Sequence, residues 1–296
     1  MKPKREDLVS TQSVPVLILA GGFGTRISEE SQFKPKPMVE IGGVPILLHI
    51  MRHYYANGFN NFVICAGYKA IEIKKYFMYY QVLQNDLDID HRHSFDEEWK
   101  VGRTSNHQER WRIRVIDTGL HTLTGGRVGR ALEMLRQTES FDHFALTYGD
   151  GLSDVDLRHE FVFHLSHGSL GTVLGVKNQA RYGELNTTEQ GKVLSFLEKP
   201  AEKQGFINGG FFFFRREFEE YLSVDEKLTL EEQPLSRLAQ DGQLRVYKHV
   251  GFWQAMDTLR DRTALEAMCA SGRAPWMREV PTPLPSGFPQ PWEPRA

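Results

Sequence analysis

The sequence predicts an α/β fold, a mostly parallel sheet sandwiched by helices with a smaller β portion beside it. Three observations carry that expectation. Short, uninterrupted apolar runs alternate along the chain with longer stretches whose apolar residues recur at helical spacing. This alternation is what buried parallel strands and their crossover helices leave in a sequence. The first apolar run leads straight into the glycine turn Gly21-Gly22-Phe23-Gly24. The chain has 296 residues, 40% hydrophobic and 25% charged, enough for a sizeable core and one or two domains.

In chain order, VPVLILAG (14–21) reads as a buried strand and PILLHIMRHYYANG (45–58) as a helix stopped by Gly58. NFVICAG (61–67) is a strand, AIEIKKYFMYY (70–80) a helix, WRIRVIDTG (111–119) a strand and GRALEMLRQT (129–138) a helix. FDHFALTYGDG (141–151) is a strand running into a turn, followed by the helix DLRHEFVFHLSHG (156–168). Ligands of such sheets bind beyond the carboxyl ends of the strands, so the loops after Ala20, Ala66, Thr118 and Tyr148 are expected to converge. GTVLGV (171–176), KVLSFLEKP (192–200) and GGFFFFRR (209–216) read as a later group of strands forming a second wall of the pocket. The phenylalanines within the last of these read as core.

Residues 1–13 are polar and read as a flexible arm, 14–274 as the functional domain, and 275–296 as an extended tail holding half of the 14 prolines. The tail either stands apart from the body or lies along it through Trp276 and Trp292. Residues 84–110 form a charged excursion, a place for a subunit contact, where His91, His93 and His107 read as solvated rather than metal-binding. Lys plus Arg number 36 against 38 Asp plus Glu, a net charge of -2 that argues against nucleic acid as a partner. No run approaches the roughly 18 apolar residues of a membrane span. The two cysteines, Cys65 and Cys269, form neither a disulfide framework nor a zinc pattern, which fits a reducing cytoplasm.

A glycine turn leaving a buried strand lets main-chain N–H groups approach an anion without interference from Cβ atoms. Two familiar versions fail. The dinucleotide fingerprint needs a third glycine where this chain has Ile27, and the P-loop needs Gly-Lys-Ser/Thr, which Thr25-Arg26 does not supply. What remains is a glycine turn ending in Arg26, with Lys34 and Lys36 held in an extended segment by Pro35 and Pro37. Converging cations suit a polyphosphate that reacts at phosphorus.

The string GGFGTRISEESQFKPKPMVEIGG resembles the signature of the sugar-1-phosphate nucleotidyltransferases. GYK (67–69), DTG (117–119), TGGR (124–127), TYGDG (147–151), EKP (198–200), INGGFF (207–212) and GFWQAMDTLRD (251–261) are similar, in order and spacing, to the cytidylyltransferase branch acting on glucose 1-phosphate. The likeness runs from about Pro15 to Trp276. It implies a Rossmann-like sheet whose smaller β portion binds sugar. It also implies a Mg²⁺-assisted, in-line transfer of a cytidylyl group from CTP to α-D-glucose 1-phosphate, releasing pyrophosphate, in a cytoplasmic homo-oligomer.

Carried over residue by residue, the resemblance assigns Leu19, Gly21, Gly22, Gly24, Thr25, Arg26, Lys36, Thr124, Gly125, Arg127 and Gly149 to the nucleotide. Arg26, Lys36 and Asp150 are the catalytic candidates, with Asp150 and Asp257 as metal ligands. Two carboxylates suit a hard, oxygen-ligated cation that keeps several waters. Tyr148, Glu198, Lys199 and Asn208 are assigned to the sugar phosphate, with Trp253 lining the same side. Arg127 cannot accept a hydrogen bond, so it is expected to serve the pyrimidine O2 or a phosphate while main-chain carbonyls read the cytosine amino group. Alternatives are a preference for UTP or dTTP, an inactive sugar-nucleotide-binding regulator, and a nicotinamide-dependent oxidoreductase, which the failed glycine fingerprint disfavours. Ala255 stands where the family pattern has proline, and a less rigid loop before Asp257 is expected from it.

Overall fold

A computed structural model describes residues 9–24, 34–83, 87–89, 99–101, 109–177, 184–187, 193–197 and 205–277. In chain order they form β1 (Pro15–Ala20), β2 (Glu40–Ile41), β3 (Val44–Pro45), α1 (Ile46–Ala56), β4 (Asn61–Ala66), α2 (Ala70–Met78) and α3 (Tyr80–Leu83). Then come β5 (Leu87–Ile89), β6 (Trp99–Val101), β7 (Arg112–Asp117), α4 (Thr124–Thr138), β8 (His143–Tyr148), β9 (Gly151–Ser153) and α5 (Leu157–His167). The remainder is β10 (Gly171–Lys177), β11 (Glu184–Thr187), β12 (Val193–Leu197), β13 (Phe206–Arg215), α6 (Pro234–Gln240), β14 (Leu244–His249), β15 (Trp253–Ala255) and α7 (Leu259–Ala270).

Seven strands make the central sheet in the order β14-β10-β13-β8-β1-β4-β7. Only β13 runs antiparallel to its neighbours, β10 and β8; the other adjacent pairs are parallel. The mostly parallel expectation holds, and the apolar runs have the expected cause. Every residue of β1 and β4 is buried, because central strands are covered on both faces.

The phenylalanine run shows the two faces directly. Phe211 and Phe213 enter the core beneath α1 and α5, whereas Phe212 and Phe214 enter the core beneath α4 and α6. Alternation along a strand sends neighbours to opposite sides. All four rings are at most 1% exposed, and each contributes roughly 2–3 kcal/mol by burial. They are core, as the sequence reading had them.

The later strands differ from expectation. β10 and β13 belong to the central sheet itself, while β12 pairs with β11 in a separate hairpin. The helix expected from residue 129 begins at Thr124, so the TGGR string is its first turn rather than a loop. Its early amides are satisfied by tertiary contacts: Gly125 N and Gly126 N donate to Leu228 O at 2.9 and 3.1 Å. That anchoring overrides the weak helix propensity of paired glycines.

The two ends are more ordered than expected where they are described. Residues Thr11–Ser13 form a 3₁₀ turn, and Thr11 Oγ1 donates to Gly58 O at 2.9 Å. Pro275–Met277 form another, because proline's fixed φ suits a first helical position. Trp276 within it is 3% exposed, stacks on Phe252 and donates from Nε1 to His49 Nδ1 at 3.3 Å. Trp292 lies outside the described residues, as do His91, His93 and His107. Of the 84–110 excursion, β5 and β6 pair as a short antiparallel ribbon. Among the described residues, no helix is long and apolar enough to cross a membrane.

Candidate active site

Parallel strands end at a common edge, and the predicted convergence of loops follows. Gly149, after β8, donates from N to Leu19 O at 2.9 Å; Thr118, after β7, donates to Ala66 O at 2.8 Å; and Tyr68, after β4, donates to Gly21 O at 3.2 Å. The main chains after β1, β4, β7 and β8 are thereby stitched together along one rim.

Arg127 sits beneath that rim, 4% exposed. One Nη group donates to Ala66 O, Thr118 Oγ1 and Gly119 O at 3.2, 2.8 and 2.7 Å. The other donates to Gly21 O and Leu120 O at 2.9 and 3.2 Å. The side chain expected to face a base or a phosphate is instead occupied with the loops of β1, β4 and β7. Gly21 and Gly67 gain their physical reason here. A Cβ on Gly21 would lie 2.2 Å from Arg127 Nη1, and one on Gly67 would lie 2.3 Å from the same atom. The glycines let a planar guanidinium pack against backbone. Burial pulls the Arg127 pKa down from its ordinary value, the effect partly offset by Cys65.

The described catalytic and metal-ligand candidates, Lys36, Asp150 and Asp257, come from three separate places. Lys36 starts a 3₁₀ turn, Lys36–Met38, seated by the buried Pro37 and Met38. Asp150 follows β8 in the turn, one residue after Gly149. Asp257 is carried in by the pairing of β15 with β9, which sets Ala255 opposite Gly151, and by Met256 N donating to Asp150 O at 2.9 Å. The expected looseness before Asp257 is therefore not found: Ala255 is a strand residue. On its other side, Thr258 and Asp261 form a capping box at the start of α7, and Asp257 N donates to Asp261 Oδ2 at 3.1 Å.

Lys36 Nζ lies 2.5 Å from Asp150 Oδ2 and 3.0 Å from Asp257 Oδ1. The Lys36 side chain is 13% exposed and the two carboxylates 28% and 30%. Burial alone would lower the lysine's pKa, but the two carboxylates outweigh it and the net shift is upward. The ammonium is charged at neutral pH. A cation thus already occupies the point where two carboxylate oxygens from distant segments converge. That donor set, two hard anionic oxygens open to solvent on one side, fits a small divalent ion that retains waters. Among the described residues no cluster of three or more His, Cys, Asp or Glu ligands exists.

The sugar-side candidates adjoin this trio. Trp253 Nε1 donates to Gly209 O at 2.7 Å, joining β15 to β13. Asn208 Oδ1 accepts from Gly210 N at 2.8 Å. Tyr148 packs edge-on against Phe212, and its hydroxyl donates to Glu231 Oε1. Burial, then the neighbouring Glu231 carboxylate, raises the Tyr148 phenol far above its ordinary value, so it remains a donor. Thr124 Oγ1 donates to Glu231 Oε2 at 2.8 Å and accepts from Leu230 N at 2.9 Å. Glu231 is a site-edge residue that sequence reasoning missed. Within DEKLTLEEQP a single carboxylate carries no signal that separates it from a solvated one.

Leu19, Gly21, Gly22, Gly24, Lys36, Thr124, Gly125, Arg127, Tyr148, Gly149, Asp150, Asn208 and Asp257 are all described. Thr25, Arg26, Glu198 and Lys199 lie outside the described residues.

Comparison with known proteins agrees with this geometry. A family model described as nucleotidyl transferase matches residues 15–258. The glucose-1-phosphate cytidylyltransferase of Salmonella typhi is 43% identical over 260 residues, covering 88% of this chain and 97% of the relative. The glucose-1-phosphate cytidylyltransferase of Salmonella typhimurium strain LT2 has the same identity and coverage. Among solved structures, HddC from Yersinia pseudotuberculosis superposes with a TM-score of 0.57 at 22% identity, over 88% of this chain and 99% of that one, a likeness of fold. With the family model spanning the whole central sheet and both aspartates, the chain belongs to the nucleotidyl transferase family.

Proposed function

We propose that this chain transfers a cytidylyl group from CTP to α-D-glucose 1-phosphate, giving CDP-glucose and pyrophosphate. The observation that supports it most is the meeting of Lys36, Asp150 and Asp257 at the loop edge of the sheet, in a chain 43% identical to glucose-1-phosphate cytidylyltransferases. A phosphate oxygen of the sugar phosphate attacks the α-phosphorus in line. The new P–O bond forms as the bond to the bridging oxygen breaks, and the electron pair leaves with pyrophosphate. No covalent intermediate on the protein is needed, so catalysis rests on positioning and charge.

The main chain of Gly21, Gly22 and Gly24, with Thr25 and Arg26, receives the triphosphate, and Leu19, Gly125 and Gly149 line its seat. Lys36 supplies a fixed positive charge beside the reacting phosphates. Mg²⁺ held by Asp150 and Asp257 would neutralise phosphate charge and complete the site. Arg127 acts on the nucleotide through the rim it holds, whose carbonyls are acceptors of the kind a cytosine amino group requires. Tyr148, Asn208 and Trp253 flank the hexose, while Glu198 and Lys199 meet the sugar phosphate. The functional domain is residues 14–274, acting as a cytoplasmic homo-oligomer.

The test is pyrophosphate release by the purified chain with α-D-glucose 1-phosphate, Mg²⁺ and each of CTP, UTP, dTTP and GTP. CTP should be preferred by at least tenfold in kcat/KM. A preference for UTP or dTTP overturns the base assignment, and no release with any of the four overturns the reading.

A further inference from the structure

We propose that Glu231 is a positioning residue that couples the sugar half of the cleft to the nucleotide half. The inference rests on the reading above and adds a residue to it. Glu231 sits between the two halves and holds both: its Oε1 accepts from the Tyr148 hydroxyl, and its Oε2 accepts from Thr124 Oγ1 at 2.8 Å. Tyr148 immediately precedes the turn carrying Asp150. Thr124 opens α4, whose Arg127, three residues on, clamps the loops after β1, β4 and β7. One carboxylate therefore joins the aromatic wall of the hexose side to the helix that organises the nucleotide rim.

The geometry around Tyr148 makes that link directional. The ring cannot retreat towards β13: a Cβ at Gly210, where φ is +78°, would fall 2.4 Å from Tyr148 Cδ2, so the ring lies flush on the backbone. Phe212 packs against it edge-on. With the ring held on these two sides, any remaining movement carries its hydroxyl away from Glu231, and that hydrogen bond opposes it. On the other side, the Thr124 hydroxyl also accepts from Leu230 N at 2.9 Å, so the segment carrying Glu231 is tied to the start of α4 by backbone as well as by side chain. A ligand that displaces Tyr148 must then load α4, and a nucleotide that moves the rim must load Tyr148.

The substitution E231Q tests this, because an amide keeps the volume but puts an NH2 donor in place of one of the two oxygens that accept from the hydroxyls. With the nucleotide and sugar phosphate that the wild type turns over, E231Q should raise KM for the sugar phosphate about fivefold, with kcat within about twofold. Bound nucleotide should no longer tighten sugar-phosphate binding in calorimetry. Because Glu231 acts through Tyr148, E231Q placed on Y148F should add less than about twofold, and E231D, which keeps the charge, should recover part of the loss. Unchanged kinetics in E231Q overturn the inference, as does full additivity with Y148F or a loss explained by a lower Tm. If the wild type transfers to no sugar phosphate, the functional reading falls and this inference with it. An active wild type with an indifferent E231Q sinks only the latter.

Discussion

Replacing Arg127 separates two ways in which an arginine can serve a nucleotide. If its role is to clamp the rim, Arg127→Ala should cost both stability and affinity; if it touches the nucleotide alone, only affinity should fall. The structure sets the size of the first effect. Three of the five acceptors, Ala66 O, Thr118 Oγ1 and Gly21 O, are buried with the guanidinium. Two of these keep another donor: Thr118 N remains on Ala66 O, and Tyr68 N on Gly21 O. No buried carbonyl is orphaned, so the cost is that of the charge-assisted bonds, roughly 1.5–3 kcal/mol each before non-additivity. A total of about 3 kcal/mol is expected, a Tm drop of roughly 5 °C for a chain of this size. CTP affinity should fall at least tenfold. Arg127→Lys should recover less than half of the Tm loss, since three donors on a flexible stem cannot span five acceptors. Thermal melts beside CTP titration calorimetry read both quantities. A variant that melts within 2 °C of wild type yet loses CTP binding would refute the clamp.

Lys36→Met should lower kcat by about 10²–10³ while leaving the chain folded, read by steady-state kinetics beside circular dichroism. Since the Lys36 pKa is raised, its ion-pair contribution is present below the ordinary lysine pKa and is lost only as pH climbs through the raised value; an alkaline limb of kcat below pH 9 assigned to Lys36 would contradict this. Trp276→Ala should cost about 3–5 kcal/mol in urea unfolding, because the ring is 3% exposed; a cost below about 1 kcal/mol would show that the start of the tail does not anchor the fold. Glu160 is fully buried and neither carboxyl oxygen has a hydrogen-bond partner among the described residues, so burial raises its pKa well above the ordinary value. The unfolded chain then releases this proton first, and stability falls as pH rises above the ordinary carboxyl pKa, by up to about 1.4 kcal/mol per pH unit. Glu160→Gln should remove that slope, giving no gain near pH 4 and a growing gain towards pH 8. A wild-type-minus-variant difference independent of pH would exclude it.

What the sequence disclosed depended on how each segment is buried. β1, β4 and β8 were legible because central strands are buried along nearly their whole length and so are mostly apolar. β14 was not: it lies at the sheet edge, and in LRVYKH no residue is fully buried, so its composition resembles a loop. The start of α4 was hidden for a different reason. Gly125 and Gly126 argue against helix locally, and the residues that hold them there, around Leu228, are a hundred positions away. Glu231 was invisible on the same ground. The aspartates and Lys36 were readable only through resemblance, since Lys36 lies 114 residues from Asp150 and 221 from Asp257.

Those separations explain the form of the site. A parallel sheet can place Asp150 at its loop edge by strand direction alone, but it offers no strand to bring in a residue from near the end of the chain. The two-stranded pairing of β9 with β15 does this. It begins immediately after Asp150 and ends just before Asp257, with Gly151 opposite Ala255 and Met256 N on Asp150 O. The backbone of one metal-ligand candidate is thereby hydrogen-bonded to the residue preceding the other, and the capping box of α7 fixes the far side. The spacing of the two carboxylates is consequently set by main-chain bonds rather than by side-chain packing. Surrounding hydrophobic substitutions can then alter stability while the charge geometry around Lys36 stays in place.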